Sequence, residues 1–192
     1  FTGQGRKPDD AFCICRRFHT IDQVLMRMLK ESDNLYAESM FYQIGAASGN
    51  QPATAHSARS VMNRLIKKVG LDPKRYNIAD GSGLSLYNYV TAELEVRLLR
   101  YAFKNNNIYL HLHPSLPQAG TDGTLRKRMT SPFTQGNVYA KTGTLSGISS
   151  LAGYCTAANG HRLAFAIINQ GLLHGRNGRS FQDRVCTILC QP

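Results

Sequence analysis

Apolar residues recur at helical spacing through the first half of this chain and at strand spacing near its end. Ile21, Val24, Leu25, Met28 and Leu29 fall at i, i+3, i+4, i+7 and i+8, one face of a helix. Thr20, followed three residues later by Gln23, forms a capping box at its start. A second helix is expected after Ser32, with Leu35, Met40, Phe41 and Ile44 apolar and Gly45 as its stop. Ser57 can cap a third, carrying Val61, Leu65, Ile66 and Val69 and ended by Gly70. Thr91 opens a fourth through Leu94, Leu98, Leu99 and Ala102. The stretch ADGSGLS, residues 79–85, is turn-rich. Residues 111–137 hold Pro114, Pro117, Pro132 and several glycines, and are expected to be mostly loop.

The period then changes. VYAKTG alternates and predicts a strand. SSLAGYCTA and HRLAFAIINQ flank ANG, a strong hairpin signal. Ser180 is expected to begin a last helix, with Asp183 at the capping-box position and Phe181, Val185, Ile188 and Leu189 on its buried side. Helices, then strands, then one helix favour an α+β fold with an antiparallel sheet packed with helices. Residues 1–19 lack periodicity and read as an irregular lead-in; residues 20–192 read as a single unit. No internal repeat or low-complexity tract interrupts it.

Composition narrows this. The chain has 192 residues, 42% of them apolar, with 17 glycines, which fits a globular protein with a real core. No run approaches the ~20 apolar residues of a membrane span, so membrane association is expected to be peripheral at most. No signal-peptide pattern is visible. The first residue is Phe1, not Met, which reads as a processed chain or a fragment.

The formal charge of +11 points to acidic partners. The basic residues are scattered, however. Their densest group, LRKRM at 125–129, has no aromatic interleaving and reads as a solvated basic face. No reading helix or stacking platform is apparent, which weighs against nucleic acid as a partner. Five cysteines, Cys13, Cys15, Cys155, Cys186 and Cys190, match no standard zinc spacing and form no even disulfide set. Cys186 and Cys190, four apart in a helical pattern, read as buried structural thiols.

Two short stretches carry candidate chemistry. Ser32-Asp33-Asn34 places a hydroxyl, a carboxylate and a carboxamide where one helical pattern ends and another begins. A helix cap explains it on its own, since all three side chains accept hydrogen bonds from free helix-start N–H groups. Lys141-Thr142-Gly143 lies on the predicted strand, where glycine permits close approach of another backbone; taken singly, Lys141 is a surface lysine on a strand edge. Together, S-D-N followed by K-T-G is two thirds of the motif set of serine β-lactamases and penicillin-binding proteins. The remaining polar residues have simpler readings. Asp80 and Asp122 are turn formers in Gly-rich loops. His111 and His113, two apart, could suit a metal on a strand, but no third ligand is evident, so neither metal nor cofactor is expected.

With the stretches LKESDNLYAESMFYQIG, IADGSGLSLYNYVT, LPQAGTDGTLRKR, VYAKTGTLSGISSLAGY and NGHRLAFAIINQ, roughly residues 20–190, the chain resembles the D-alanyl-D-alanine carboxypeptidase/endopeptidases of the S13 peptidase type, low-molecular-mass penicillin-binding proteins. The resemblance implies a serine β-lactamase/transpeptidase-like fold, here as an incomplete catalytic domain, and a periplasmic or cell-envelope location. It implies peptidoglycan stem peptides and β-lactams as partners, cleaved through an acyl-enzyme. It also implies roles. Ser32 relays a proton to the leaving amine, and Asn34 holds the substrate amide. Lys141 lowers the pKa of Ser32 and attracts the substrate carboxylate. Thr142 and Thr144 bind that carboxylate, the Thr144 N–H forms half of an oxyanion hole, and Asp33 and Gly143 complete the substrate-binding set.

The chain departs from the pattern in one respect: no serine has a lysine three residues later, so the S-x-x-K nucleophile is absent. The nearest form, TLRK at 124–127, has threonine and follows S-D-N. The chain is therefore expected to be the C-terminal portion of a longer enzyme, inactive alone. The alternative is a non-catalytic module that binds peptidoglycan or penicillin.

Overall fold

The computed structural model describes residues 8–49 and 52–191. Residues 1–7 of the expected lead-in lie outside the described residues; residues 8–19 form no helix or strand, and Phe12, Ile14 and Phe18 are exposed. Among the described residues, six α-helices and three strands follow in the order α1 (Ile21–Lys30), α2 (Asn34–Ala47), α3 (Ala55–Lys68), α4 (Ala92–Lys104), α5 (Asn106–Ser115), β1 (Tyr139–Leu145), β2 (Ile148–Thr156), β3 (Arg162–Asn169) and α6 (Gly175–Cys190). Among the described residues, no helix is long and apolar enough to cross a membrane.

The strands form one antiparallel sheet in the order β1-β2-β3. Side chains alternate between its faces. Ala140, Leu151, Cys155 and Phe165 point to α6 and pack with Cys186 and Cys190 in the main core. Tyr154, on the other face, donates from its hydroxyl to the Leu99 carbonyl of α4 at 2.7 Å. Lys141 shares that face, because it lies two residues from Tyr139, the register partner of Tyr154. The molecule is thus layered: α6, the sheet, then a helical layer in which α4 contacts the sheet, α5 contacts α4, and α1 contacts α5. A second core of Ile66, Tyr76 and Leu94, with Val69 and Leu98 against it, ties α3 to α4.

Several expected boundaries move, each for a local reason. The Thr20–Gln23 capping box forms as written. At α3 the cap is Thr54, and Ser57 is its reciprocal partner in the box, three residues inside the helix. Gly45 does not end α2. It is buried where α2 crosses α3, and a Cβ there would lie 2.6 Å from the Ser57 hydroxyl. Residues 106–115, whose later half was expected to be loop, form α5; Pro114 falls in its last turn, where little of the helical ladder remains to be broken. The last helix begins at Gly175, five residues before Ser180, and Asp183 pairs with Arg128 instead of capping.

The basic run at 125–129 is only half solvated. Leu125 and Met129 are core residues, and Arg128 donates to Asp183 and Gln182 of α6. Arg126 and Lys127 stay exposed.

Candidate active site

The turn between α1 and α2 is built from the S-D-N triplet, and its three residues do different things. Asp33 is the N-cap: Oδ1 accepts from Leu35 N at 3.1 Å and Tyr36 N at 3.3 Å. Its Oδ2 accepts from Arg27 Nε at 2.9 Å. These bonds, the Arg27 hydrogen bond foremost, hold the carboxyl below its ordinary pKa. Both oxygens are therefore engaged in holding the turn. Ser32, just outside the cap, adopts φ 55, a left-handed conformation uncommon for a residue with a Cβ. Asn34 is the first residue of α2, exposed, and its carboxamide has no hydrogen-bond partner among the described residues.

On the sheet, Lys141 Nζ donates to Ser32 Oγ at 2.6 Å and to the Thr142 carbonyl at 2.7 Å. Two segments 109 positions apart thus meet at one hydrogen bond. Lys141 makes no ion pair among the described residues. Burial without a counter-ion lowers its pKa to about 8. The ammonium is thus held by neutral oxygens only, poised to attract an anion. Ser32 Oγ accepts from the lysine, so its own proton is free to point elsewhere.

The rest of β1 extends the site. Thr142 Oγ1 donates to Thr124 Oγ1 at 2.9 Å, linking the strand to a short 3-10 turn, Gly123–Leu125. Gly143 lies opposite Ser150 of β2, whose hydroxyl occupies the space a Cβ would need. Thr144 is exposed. The 3-10 turn is fastened to α1 in two ways. Lys30 Nζ pairs with Asp122 and donates to the Leu116 carbonyl. Gly123, at φ +53, lies so close to Lys30 that a Cβ would sit 2.8 Å from its carbonyl oxygen.

The loop containing ADGSGLS is anchored to α2 by Glu38, which accepts from Gly81 N at 2.8 Å and Ser82 N at 3.2 Å. Asp80 accepts from Ser85 N at 2.7 Å and the Asn88 amide at 3.0 Å, the turn-forming role its sequence implies.

Sequence reasoning missed Thr124, Glu38 and Arg128 as parts of this framework. Their bonds join segments with no shared periodicity, and only the surrounding Gly-rich turns hinted at them. His111 and His113 lie on α5, not on a strand. His111 pairs with Asp22 of α1. His113 stacks on Tyr139 with ring centroids 4.2 Å apart, and burial, then Arg162, lowers its pKa. Residues two apart on a helix do not face one another, so the pair is not arranged to chelate. Among the described residues, no group of three or more His, Cys, Asp and Glu side chains could hold a metal ion.

The chain is similar to known proteins over most of its length. D-alanyl-D-alanine carboxypeptidase DacB of Haemophilus influenzae is 36% identical over 157 residues, 81% of this chain and 33% of that protein. The crystal structure of penicillin binding protein 4 (dacB) from the same organism superposes with a TM-score of 0.79 at 32% identity, covering 88% of this chain and 39% of the other. The same protein complexed with a β-lactam gives the same TM-score and identity, covering 41% of that chain. TLA-3 extended-spectrum β-lactamase, 20% identical, shares the fold at a TM-score of 0.64, covering 86% of this chain and 62% of the other. The fold is therefore of the β-lactamase/transpeptidase type, and the chain spans about a third of the length of curated relatives it matches. The model of the D-Ala-D-Ala carboxypeptidase 3 (S13) family matches residues 15–191, and the chain belongs to that family.

Proposed function

We propose that this chain is the C-terminal portion of a serine D-Ala-D-Ala carboxypeptidase/endopeptidase of the cell envelope, acting on peptidoglycan stem peptides and acylated by β-lactams. It supplies the S-D-N and K-T-G elements, and the S-x-x-K nucleophile lies outside it. The observation that carries this reading is the 2.6 Å hydrogen bond from Lys141 to Ser32, made by a partly buried ammonium with no carboxylate beside it among the described residues.

In the proposed reaction the nucleophilic serine gives its proton to the lysine of the S-x-x-K motif, also outside this chain, as its oxygen adds to the carbonyl of the terminal D-Ala-D-Ala bond. The C–N bond then breaks, and the departing amine takes a proton from the Ser32 hydroxyl. Lys141 restores that proton through the hydrogen bond it already makes and is itself reprotonated with the proton the nucleophile released, so that acylation leaves the site's protons unchanged. The same ammonium draws in the substrate's terminal carboxylate, which rests on the Thr144 hydroxyl and on that of Thr142, whose proton turns from Thr124 to the ligand. The Thr144 N–H supports the developing oxyanion. Asn34, exposed beside Ser32, holds the substrate amide. Asp33 acts on the site by fixing the turn that presents Ser32 and Asn34. A β-lactam carries a comparable carboxylate beside a strained amide and occupies the same place; a relative's structure with a β-lactam bound supports this.

Intact-mass analysis and fluorescent-penicillin labelling test the proposal. The full-length gene product is expected to gain one penicillin adduct, and the 192-residue chain alone none. Labelling of the isolated chain overturns the division of motifs. A full-length product with no S-x-x-K and no adduct favours the binding-module reading, which rests on the lack of that motif here.

A further inference from the structure

Next to the Ser32 turn lies a cleft of about 340 Å³ lined by Lys30, Glu31, Gly123, Thr124, Arg126 and Lys127. It is separate from the Ser32–Lys141 contact but joined to it on both sides. Glu31 precedes Ser32 in the chain, and Thr124 accepts the hydrogen bond of Thr142. Its volume lies in the range of ordinary ligand sites, ~300–1,000 Å³. Its walls are fixed, because Gly123 is seated on the Lys30 backbone and Lys30 is tied to Asp122 and Leu116.

The charges are uneven. Lys30 is neutralised by Asp122. Arg126 and Lys127 make no ion pair or side-chain hydrogen bond among the described residues, and only Glu31 opposes them. The cleft therefore keeps a surplus of one positive charge. A purely solvated basic face would not be expected to line a concave wall against the threonine that positions Thr142.

We infer that this cleft is a subsite for the leaving-group side of the substrate, where Arg126 and Lys127 hold a carboxylate on a peptide amine longer than a single alanine. The inference rests on the proposed role of Thr142 and Thr144 as the seat of the terminal carboxylate. A ligand seated there presents whatever extends beyond its leaving residue to Thr124 and the cleft. A single D-Ala ends before reaching it. A cross-linking peptide amine bearing a further carboxylate fills it and meets the two free cations, Arg126 offering the planar fork that carboxylates fit.

The test uses two synthetic peptides with the same scissile bond and the same extended leaving group, differing only in a carboxylate or a carboxamide on that extension. With the full-length product, the carboxylate peptide is expected to have a KM about tenfold lower, worth about 1.4 kcal/mol. In the R126A/K127A double variant the KM ratio is expected to fall to unity, and in wild type to shrink at high salt. In parallel, NMR titration of the 192-residue chain with each peptide reads binding at residues 123–127 without any chemistry. A KM ratio unaffected by the double variant, or equal NMR shifts with both peptides, overturns the subsite. Failure of wild-type penicillin labelling overturns the enzyme reading instead, and the NMR arm still decides the cleft.

Discussion

At the scale of single residues, the site is a cost the fold carries. Lys141 is charged at neutral pH in a partly buried place that would favour its neutral form. Its folded pKa, about 8, lies below the ordinary lysine value of 10.5, so the folded state binds its proton less tightly than the unfolded state. Below pH 8 the penalty is fully present; as pH rises from 8 to 10.5 it is relieved and stability increases. Replacing Lys141 with Met should therefore stabilise the chain at pH 7 by on the order of 2 kcal/mol and flatten that rise in urea titrations, while abolishing penicillin labelling of the full-length product. A destabilised variant would mean that the ammonium is better solvated than its surroundings imply. The triplet beside it was legible as a cap or as chemistry, and it divides between the two. Asp33 is the cap, while Ser32 meets Lys141. Nothing in the residue types could say which side chain would take which task, because serine, aspartate and asparagine cap about equally well.

At the scale of elements, the sequence located most of what periodicity encodes and misplaced what depends on a neighbour; on α6 the expected buried side is wrong, since Phe181 and Ile188 are exposed and Gln182, Cys186 and Cys190 face the sheet. The hairpin and its ANG turn came directly from alternation, and α1 from its capping box. The start of α3 shifted by three residues because Ser57 works from inside the helix, answering Thr54. The helix α5 escaped notice because Asn105 gives it no side-chain cap and turns to the Tyr101 carbonyl instead. The Gly123–Leu125 turn had no signal beyond its glycines, yet it joins α1 to β1. A Gly123→Ala variant must strain a positive φ and push against the Lys30 carbonyl. It is expected to lose about 2 kcal/mol in chemical denaturation and to move the Thr124 and Thr142 signals in NMR spectra. Unchanged stability would mean that the turn relaxes away from α1 at no cost.

At the scale of the whole molecule, one buried side chain joins the last helix to the sheet. Gln182 is fully buried; its amide donates to Ser149 Oγ and Asn169 Oδ1, each at 3.1 Å, and its oxygen accepts from Arg128 at 3.0 Å. It binds α6, the start of β2, the end of β3 and the segment that follows the Gly123 turn. The sequence showed the helix but not this role, since glutamine in a helix is normally a surface residue. Gln182→Ala takes the amide donor from Ser149 and Asn169 and one of several acceptors from Arg128, which keeps Asp183, and is expected to cost about 3 kcal/mol in urea unfolding. A loss under about 0.5 kcal/mol, the size of an ordinary surface change, would remove it as a tie. Of the basic run at 125–129, Arg128 serves the interior, while Arg126 and Lys127 stay exposed.

The thiols under α6 offer an experimental handle. Burial pushes Cys155 and Cys186 up to about 12 and raises Cys190 as well, whereas Cys13 and Cys15 stand exposed ahead of α1. A maleimide dye added to the native chain at neutral pH should therefore attach at the amino-terminal pair and nowhere else. Three further adducts should appear only as α6 lifts from the sheet, so that counting adducts by mass over time turns the cysteines into a clock for the opening of that layer.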